Sequence, residues 1–334
     1  MGVTAAREGV QDKASENRFG KLAAVTIPLL SSILAAAAAA LSALTYASTA
    51  ISVTPPPQAP QSGPPAAYPG YALVWSDEFD RDGAPDPKKW GYELGFVRNR
   101  ELQWYTPENA RQADGLLIIE ARRERVANTS FEKGSSDWRG SREFAEYTSA
   151  SLLTRGLHSW RYGRFEMRGR IDTRPGLWPA FWTLGVDGTW PHNGEIDIME
   201  YYRGLLLANV AWGGAKRFEA IWADTRKPIA SFADAAWPSD FHVWRMDWDE
   251  RAIVLSVDGH RLNDVRLTRT INQDGTGTNP FHQPHYMLVN LAVGGTQGGD
   301  PSSTSFPARY EVDYVRVYQR SPAAVMKPEP SFFQ

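Results

Sequence analysis

A chain of 334 residues with a formal net charge of −2 is long enough for one large domain plus extensions. It contains no cysteine, which excludes disulfides and thiolate metal sites, and no lysine or arginine stripe that would favour nucleic acid as a partner. Its 13 tryptophans, 13 tyrosines and 14 phenylalanines are typical of half-buried strands.

The first seventy residues differ in composition from the rest. Residues 1–21 form a polar segment, and residues 22–50 an apolar one, within which residues 22–47 are uncharged and long enough to cross a bilayer as a helix. Basic residues before this run favour a cytoplasmic N-terminus. A cleaved signal peptide and an uncleaved signal anchor, which would tether the protein to the membrane, explain the pattern equally well. Residues 51–70 form a proline-rich linker. We therefore expect a secreted, periplasmic or extracellular protein.

The remainder predicts an all-β domain over residues 71–320, followed by a loose tail at 321–334. The segment 164–171 alternates polar and apolar residues, as in a sheet with one buried face. The Asp258-Gly259 pair indicates a tight hairpin. Further strands are predicted at 116–119, 205–210, 243–248 and 310–318, with a long charged loop at 121–146. Helical periodicity and internal repeats are absent from this part of the sequence.

Three carboxylates lie close together at Glu195, Asp197 and Glu200 in an otherwise apolar, strand-like stretch. Side chains alternate along a strand, so Glu195 and Asp197 share a face. A β-bulge around residues 198–199 would bring Glu200 to that face. Two carboxylates about 5–5.5 Å apart are the catalytic pair of a retaining glycosidase. Crowding raises the pKa of at least one acid, which keeps a proton available near neutral pH.

A surface strand with solvated acids, or a calcium-binding cluster, would also explain the acids alone. The neighbouring tryptophans favour chemistry, because Trp178, Trp182 and Trp190 flank the acids and offer apolar faces for stacking on sugar rings.

Five runs of sequence carry a specific resemblance. They are Gly-Leu-Trp-Pro-Ala-Phe-Trp at 176–182, Gly-Glu-Ile-Asp-Ile-Met-Glu at 194–200, Asn-Arg-Glu-Leu-Gln-Trp-Tyr at 99–105, Asn-Leu-Ala-Val-Gly-Gly at 290–295 and Val-Asp-Tyr-Val-Arg-Val-Tyr at 312–318. Together they resemble glycoside hydrolase family 16, in its laminarinase-like branch with the bulged Glu-x-Asp-x-x-Glu motif. The resemblance covers about 250 residues and implies a β-sandwich jelly roll with a concave glycan-binding cleft.

The resemblance also implies roles for individual residues. Glu195 becomes the nucleophile, Asp197 its supporting acid and Glu200 the general acid/base. No cofactor is expected for catalysis. A structural calcium ion is implied at Glu78, Gly115 and Asp313. Candidate substrate-binding residues are Asn99, Glu101, Trp104, Tyr105, Trp178, Trp182, Trp190, His192, Trp212, Gln283 and Asn290.

One position departs from the family pattern. Many relatives carry a histidine on the strand that follows the acids, and here Trp212 is expected to occupy that place, which would change the sugar pocket. We expect a monomeric, retaining endo-β-glycanase that acts first on β-1,3-glucan. Other β-glycans, namely mixed-linkage glucan, β-1,3-galactan and algal galactans, remain open, as do transglycosylation and a non-catalytic glycan-binding module.

Overall fold

The computed structural model describes residues 63, 65–232, 234 and 236–321. The predicted N-terminal polar segment and apolar segment, about two thirds of the linker and nearly all of the tail lie outside the described residues. Within the described residues, no helix is long and apolar enough to cross a membrane.

Twenty strands make up the described fold. In chain order they are β1 Tyr71–Asp77, β2 Gly91–Tyr92, β3 Gln103–Tyr105, β4 Ala110–Ala113, β5 Leu116–Ala121, β6 Val126–Ala127, β7 Phe144–Ala145, β8 Tyr147–Ser149, β9 Ser151–Leu153, β10 Gly163–Arg170, β11 Leu177–Gly185, β12 Glu195–Tyr202, β13 Leu205–Gly213, β14 Ala220–Ala223, β15 Arg226–Pro228, β16 His242–Trp248, β17 Ala252–Val257, β18 His260–Arg266, β19 His285–Val293 and β20 Ala308–Arg320. Helices within these residues are single turns: α1 Trp138–Ser141, α2 Gly295–Gly298, and 3-10 turns at Pro107–Asn109, Ile229–Ser231, Trp237–Ser239, Leu267–Arg269 and Pro280–His282.

Sixteen of the twenty strands form two large antiparallel sheets of eight strands each, and the other four form the pairs β3–β8 and β6–β7. One sheet runs β18-β17-β16-β10-β20-β5-β4, with β1 paired to β20. The other, called here the cleft sheet, runs β14-β13-β12-β11-β19-β9-β2, with β15 paired to β13. Side chains of both sheets meet in one apolar core, which includes Phe165 and Met246 from the first sheet and Phe181, Ile198 and Val289 from the cleft sheet. The all-β prediction is confirmed.

Several sequence signals correspond directly to elements. The alternating run at 164–171 forms β10, and its Phe165 and Met167 point into the core. Asp258 and Gly259 both have positive φ and connect β17 to β18, because a two-residue hairpin of this type needs left-handed residues. The loop predicted at 121–146 instead contains the β6–β7 pair and α1.

The ordered fold begins before the predicted boundary at residue 71. Tyr68 donates a hydrogen bond from its hydroxyl to Glu166 Oε1 at 2.6 Å, and its ring packs edge-on against Tyr318 at 5.0 Å between ring centroids. Arg245 Nη2 donates to the same hydroxyl at 3.0 Å. The end of the proline-rich segment is therefore fixed to the domain by specific contacts.

Candidate active site

A bulge in β12 places the three acids on the outer face of the cleft sheet. Asp197 pairs with Asn209 of β13, whereas the next pair along is Glu200 with Leu207, so two residues of β12 face one of β13. Ile198 and Met199 are both buried in the core as a result. Glu195, Asp197 and Glu200 all line one cavity of about 670 Å³, as the alternation argument predicts.

The neighbouring strand β11 supplies the aromatic floor of this cleft. Trp178, Ala180, Trp182 and Leu184 are spaced two apart, so they share the outer face. Trp178 Nε1 donates a hydrogen bond to Glu200 Oε1 at 2.7 Å. Trp182 Nε1 donates instead to Asn290 Oδ1 on β19, also at 2.7 Å.

Trp190 reaches the acids from the loop before β12. Its Nε1 donates to Glu195 Oε2 at 2.6 Å, and 38% of the residue is exposed. The loop folds tightly because Gly185 has no side chain: a Cβ there would lie 2.0 Å from the Asn193 carbonyl oxygen. Asn193 in turn donates from Nδ2 to the Gly185 carbonyl at 3.0 Å. This packing holds the indole over Glu195.

The acids differ in their electrostatic surroundings. Burial, followed by the negative charges of Glu195 and Glu101, raises the pKa of Glu200 to about 7, against the opposing hydrogen bond from Trp178. Burial also raises the pKa of Glu195, but hydrogen bonds from Asp197 and Trp190 and the charge of Arg98 favour its ionised form. Burial and the two flanking glutamates raise the pKa of Asp197 well above its usual range. These shifts favour the proton on Asp197, in the hydrogen bond that it shares with Glu195, and the pKa of about 7 lets Glu200 exchange its proton near neutral pH.

Of the other predicted binding residues, Asn99, Glu101 and Asn290 line the cleft. Glu101 is buried and accepts a hydrogen bond from Gln103 Nε2 at 2.7 Å. Tyr105 does not reach the cleft: it is fully buried, and its hydroxyl accepts a hydrogen bond from Asn290 Nδ2 at 3.1 Å. Its contribution is to hold Asn290 in place.

Trp104, His192 and Gln283 lie outside the cleft lining, which contradicts the prediction that they contact the substrate within this cleft. Trp104 lines a separate cavity beside the cleft. His192 packs against Gly213, and its Nε2 lies 3.1 Å from the Gly214 carbonyl oxygen, outside the cleft lining. Gln283 fixes the Trp190 loop: its Nε2 donates to the Asp187 and Asn193 carbonyls, each at 3.1 Å.

The expectation that Trp212 changes the sugar pocket is also wrong. The register of β12 with β13 sets Asp197 opposite Asn209, and Trp212, three residues further along, points into the core. Asn209 is the residue beside the acids, where it hydrogen-bonds Asp197 and accepts from the Thr225 amide at 3.1 Å. Asn209 is the polar residue of an otherwise apolar strand, and this contrast could have identified it from the sequence as a candidate site residue.

Sequence reasoning missed other cleft residues as well. Arg98 forms an ion pair with Glu93, and its guanidinium lies 4.9 Å from the centroid of the Trp182 ring. One face of Trp182 is thereby covered. Trp222, which is 43% exposed, and Arg226 also line the cleft. Nothing in the local sequence distinguishes these residues from ordinary surface residues.

The residues implied for calcium fit a metal site poorly as their side chains stand. Arg316 holds both carboxylate oxygens of Glu78, at 3.0 and 2.6 Å, and Arg168 Nη1 donates to Asp313 Oδ2 at 2.6 Å. The buried Asp313 Oδ1 has no hydrogen-bond partner and is the one free oxygen of these two carboxylates. Across the described ranges, no group of three acidic or histidine side chains is arranged to hold a metal.

Known proteins are similar to this chain over about three quarters of its length. A family model described as glycosyl hydrolases family 16 matches residues 105–316. A β-glucanase of Rhodothermus marinus is 41% identical over 271 residues, covering 75% of this chain and 86% of that protein. The solved laminarinase of Rhodothermus marinus is 40% identical with a TM-score of 0.60, covering 75% and 98% of the two chains. A structure from a study of endo-acting O-glycanases of the human gut microbiota that initiate mucin breakdown is 34% identical with a TM-score of 0.70, covering 80% and 98%. The chain belongs to glycoside hydrolase family 16.

Proposed function

We propose that this protein is a retaining endo-β-glycanase whose preferred substrate is β-1,3-glucan. The observation that carries the proposal is the placement of three acids in one cleft, with different hydrogen-bond partners for Glu195 and Glu200. Two hydrogen bonds favour the ionised form of Glu195, while burial raises the pKa of Glu200 to about 7, so that a large fraction of Glu200 is protonated in neutral solution. Double displacement requires an ionised nucleophile and a protonated acid.

The proposed reaction has two steps. Glu200 protonates the glycosidic oxygen while Glu195 attacks the anomeric carbon, which breaks the glycosidic bond and forms a glycosyl-enzyme ester. Glu200, now ionised, removes a proton from water as that water attacks the ester and releases Glu195. Asp197 donates a hydrogen bond to Glu195 while that carboxylate is ionised. This bond weakens when Glu195 loses its negative charge in the ester and strengthens when the charge returns. A sugar hydroxyl in place of water would give transglycosylation.

Removal of the nucleophile tests the mechanism. Glu195→Ala is expected to abolish turnover, and azide is expected to restore part of it with an activated substrate by acting as an external nucleophile. Glu146→Ala is the matched control, because Glu146 is exposed and pairs only with Arg125 at 3.4 Å. Unchanged activity of Glu195→Ala removes the assignment. Proton NMR of fresh product is expected to show the β-anomer first, and an initial α-anomer contradicts retention.

A polysaccharide panel tests the substrate. Laminarin, mixed-linkage glucan, β-1,3-galactan, algal galactans and mucin O-glycans are compared by reducing ends and product sizes. The size distribution separates endo-action from exo-action, and products longer than the substrate reveal transglycosylation. Fastest cleavage of laminarin to mixed oligosaccharides supports the proposal, and faster cleavage of a galactan or a mucin glycan overturns the substrate assignment.

Further proposals concern the topology, the oligomeric state, the location and the calcium ion. We infer a jelly-roll topology and a monomeric protein. We also infer that the protein is exported from the cytoplasm or tethered to the membrane by residues 22–47. Cell fractionation tests the location, and light scattering tests the oligomeric state. Calcium bound by Glu78, Gly115 and Asp313 would stabilise the fold and take no part in the reaction. A midpoint of thermal unfolding that rises with calcium and falls with EDTA supports the ion, and identical midpoints contradict it.

A further inference from the structure

A second cavity of about 420 Å³ lies beside the cleft. Its lining includes Leu94, Phe96, Trp104, Ser130, Glu132 and Arg139, and we call it the side hollow. Its volume falls within the range of ligand pockets, about 300–1,000 Å³. Most of its wall comes from the charged segment at 121–146, which the catalytic machinery does not use.

One short stretch of backbone separates the side hollow from the cleft. Leu94 and Phe96 face the hollow, whereas Arg98 and Asn99 line the cleft. Arg139 lies across this wall, because its Nε and Nη2 both donate to the Val97 carbonyl, at 3.0 and 2.7 Å. Its side chain lines both cavities. The two cavities are therefore neighbours, with Arg139 and the backbone at Val97 between them.

The floor of the side hollow is aromatic. Trp104 is partly exposed and packs edge-on against Phe96, with 5.4 Å between ring centroids. Glycine is favoured at residue 95, since φ there is +76° and a Cβ would lie 3.2 Å from the indole. Leu94 adds an apolar surface that is 65% exposed. An indole with one side packed and an open cavity beside it offers an apolar platform for a ring.

The rim supplies hydrogen-bonding groups of both kinds. Hydroxyls of Ser130 and Ser135 and carboxylates of Glu132 and Asp137 line the same cavity. Arg139 is the sole basic side chain in this lining. Two carboxylates against one guanidinium disfavour an anionic ligand, and donors and acceptors around an apolar floor suit the hydroxyl groups of a neutral sugar.

We propose that the side hollow is a remote subsite for a neutral hexose residue of the same glycan chain that is cut over Glu195 and Glu200. The inference rests on the proposed function and extends it: Trp104 becomes a specificity-determining residue for chain length. A glycan long enough to cross the wall at Val97 gains binding energy that a shorter one cannot reach, so kcat/KM rises at that length.

The test measures kcat/KM for laminari-oligosaccharides of three to eight glucose units. The readout is the ratio of the value for the longest to that for the shortest cleaved oligosaccharide. Trp104→Ala removes the platform, and Ser130→Trp fills the cavity from its exposed rim without removing a packed side chain. We expect both variants to lower the ratio about tenfold, which corresponds to about 1.4 kcal/mol of transition-state stabilisation. Phe131→Ala is the matched control, because Phe131 is an exposed aromatic of the same segment that lines neither cavity.

The outcomes separate the two proposals. If laminari-oligosaccharides are cleaved and both variants keep the wild-type ratio, the subsite is overturned and the proposed function stands. If another β-glycan of the panel is the substrate, the series is made from that glycan and the same ratio decides. If no β-glycan is cleaved, the proposed function and the subsite that rests on it both fail.

Discussion

The indole N–H of Trp178 lowers the pKa of Glu200, so its removal is expected to extend activity to higher pH. The Nε1 atom donates to Glu200 Oε1 at 2.7 Å, and this bond favours the ionised carboxylate. Hydrogen bonds to charged groups contribute about 1.5–3 kcal/mol. One pKa unit corresponds to about 1.4 kcal/mol, so loss of the whole bond would raise the pKa by about 1–2 units. Glu200 keeps an exposed edge in the cleft, where water replaces part of the bond, and we expect about one unit.

The assay is the pH dependence of kcat/KM for wild type and Trp178→Phe. This profile reports the pKa values of the free enzyme. Glu200 must be protonated to act as the acid, so activity is lost as pH rises through its pKa of about 7. A higher pKa moves that loss to higher pH. The alkaline limb is therefore expected to shift upward by about one unit.

The control is Trp182→Phe. Trp182 lies on the same strand and face, but its Nε1 donates to Asn290 and to no carboxylate. Its substitution is expected to leave the position of the alkaline limb unchanged, whatever it does to the rate. An alkaline limb of Trp178→Phe that stays in place, or moves to lower pH, would refute the assignment of this limb to Glu200.

Three further predictions concern the same site. Trp190→Phe removes the 2.6 Å hydrogen bond to Glu195 and so raises the pKa of Glu195. The acidic limb of the kcat/KM profile is therefore expected to move to higher pH, and an unmoved acidic limb contradicts the assignment of Glu195 as the nucleophile. Glu200 has its pKa raised from 4.5 to about 7, so its ionisation destabilises the fold progressively as pH rises between those values. Glu200→Gln is therefore expected to add about 1–3 kcal/mol to the free energy of unfolding at pH 8 relative to pH 4, measured by urea titration, and an equal effect at both pH values counts against it. Gln283→Ala removes the bonds that fix the Trp190 loop and is expected to cost about 1–3 kcal/mol of stability and to lower kcat, with wild-type unfolding and kinetics as the opposing result.

The sequence determined which face of β12 carries the acids, because side-chain alternation along a strand is a local property. Side chains of a strand alternate with a period of two, so Glu195 and Asp197 share a face in any sheet. The apolar pair Ile198 and Met199 then requires a bulge if both are to be buried, and that bulge is what turns Glu200 toward the cleft. The hairpin at Asp258-Gly259 could also be predicted from the sequence, because this residue pair favours the two adjacent left-handed conformations that a two-residue hairpin turn needs.

The residues that surround the acids depend on the register between neighbouring strands, and the sequence alone does not fix that register. Trp212 and Asn209 are both on β13, and only the pairing across the bulge decides which of them stands beside Asp197. Tyr105 and Trp104 are adjacent in β3 and face opposite ways: one supports Asn290 from beneath, and the other opens into the side hollow.

What the tertiary structure alone decided is which distant segments meet at the cleft. Arg98 covers a face of Trp182 from 84 residues earlier in the chain, and Gln283 fixes the Trp190 loop from 93 residues later. These contacts arise because β11 lies between β12 and β19 in the cleft sheet, an order that follows from how the whole core is buried. Local alternation could place the carboxylates, but only the packing of two complete sheets could set their pKa values, because burial is a property of everything around them.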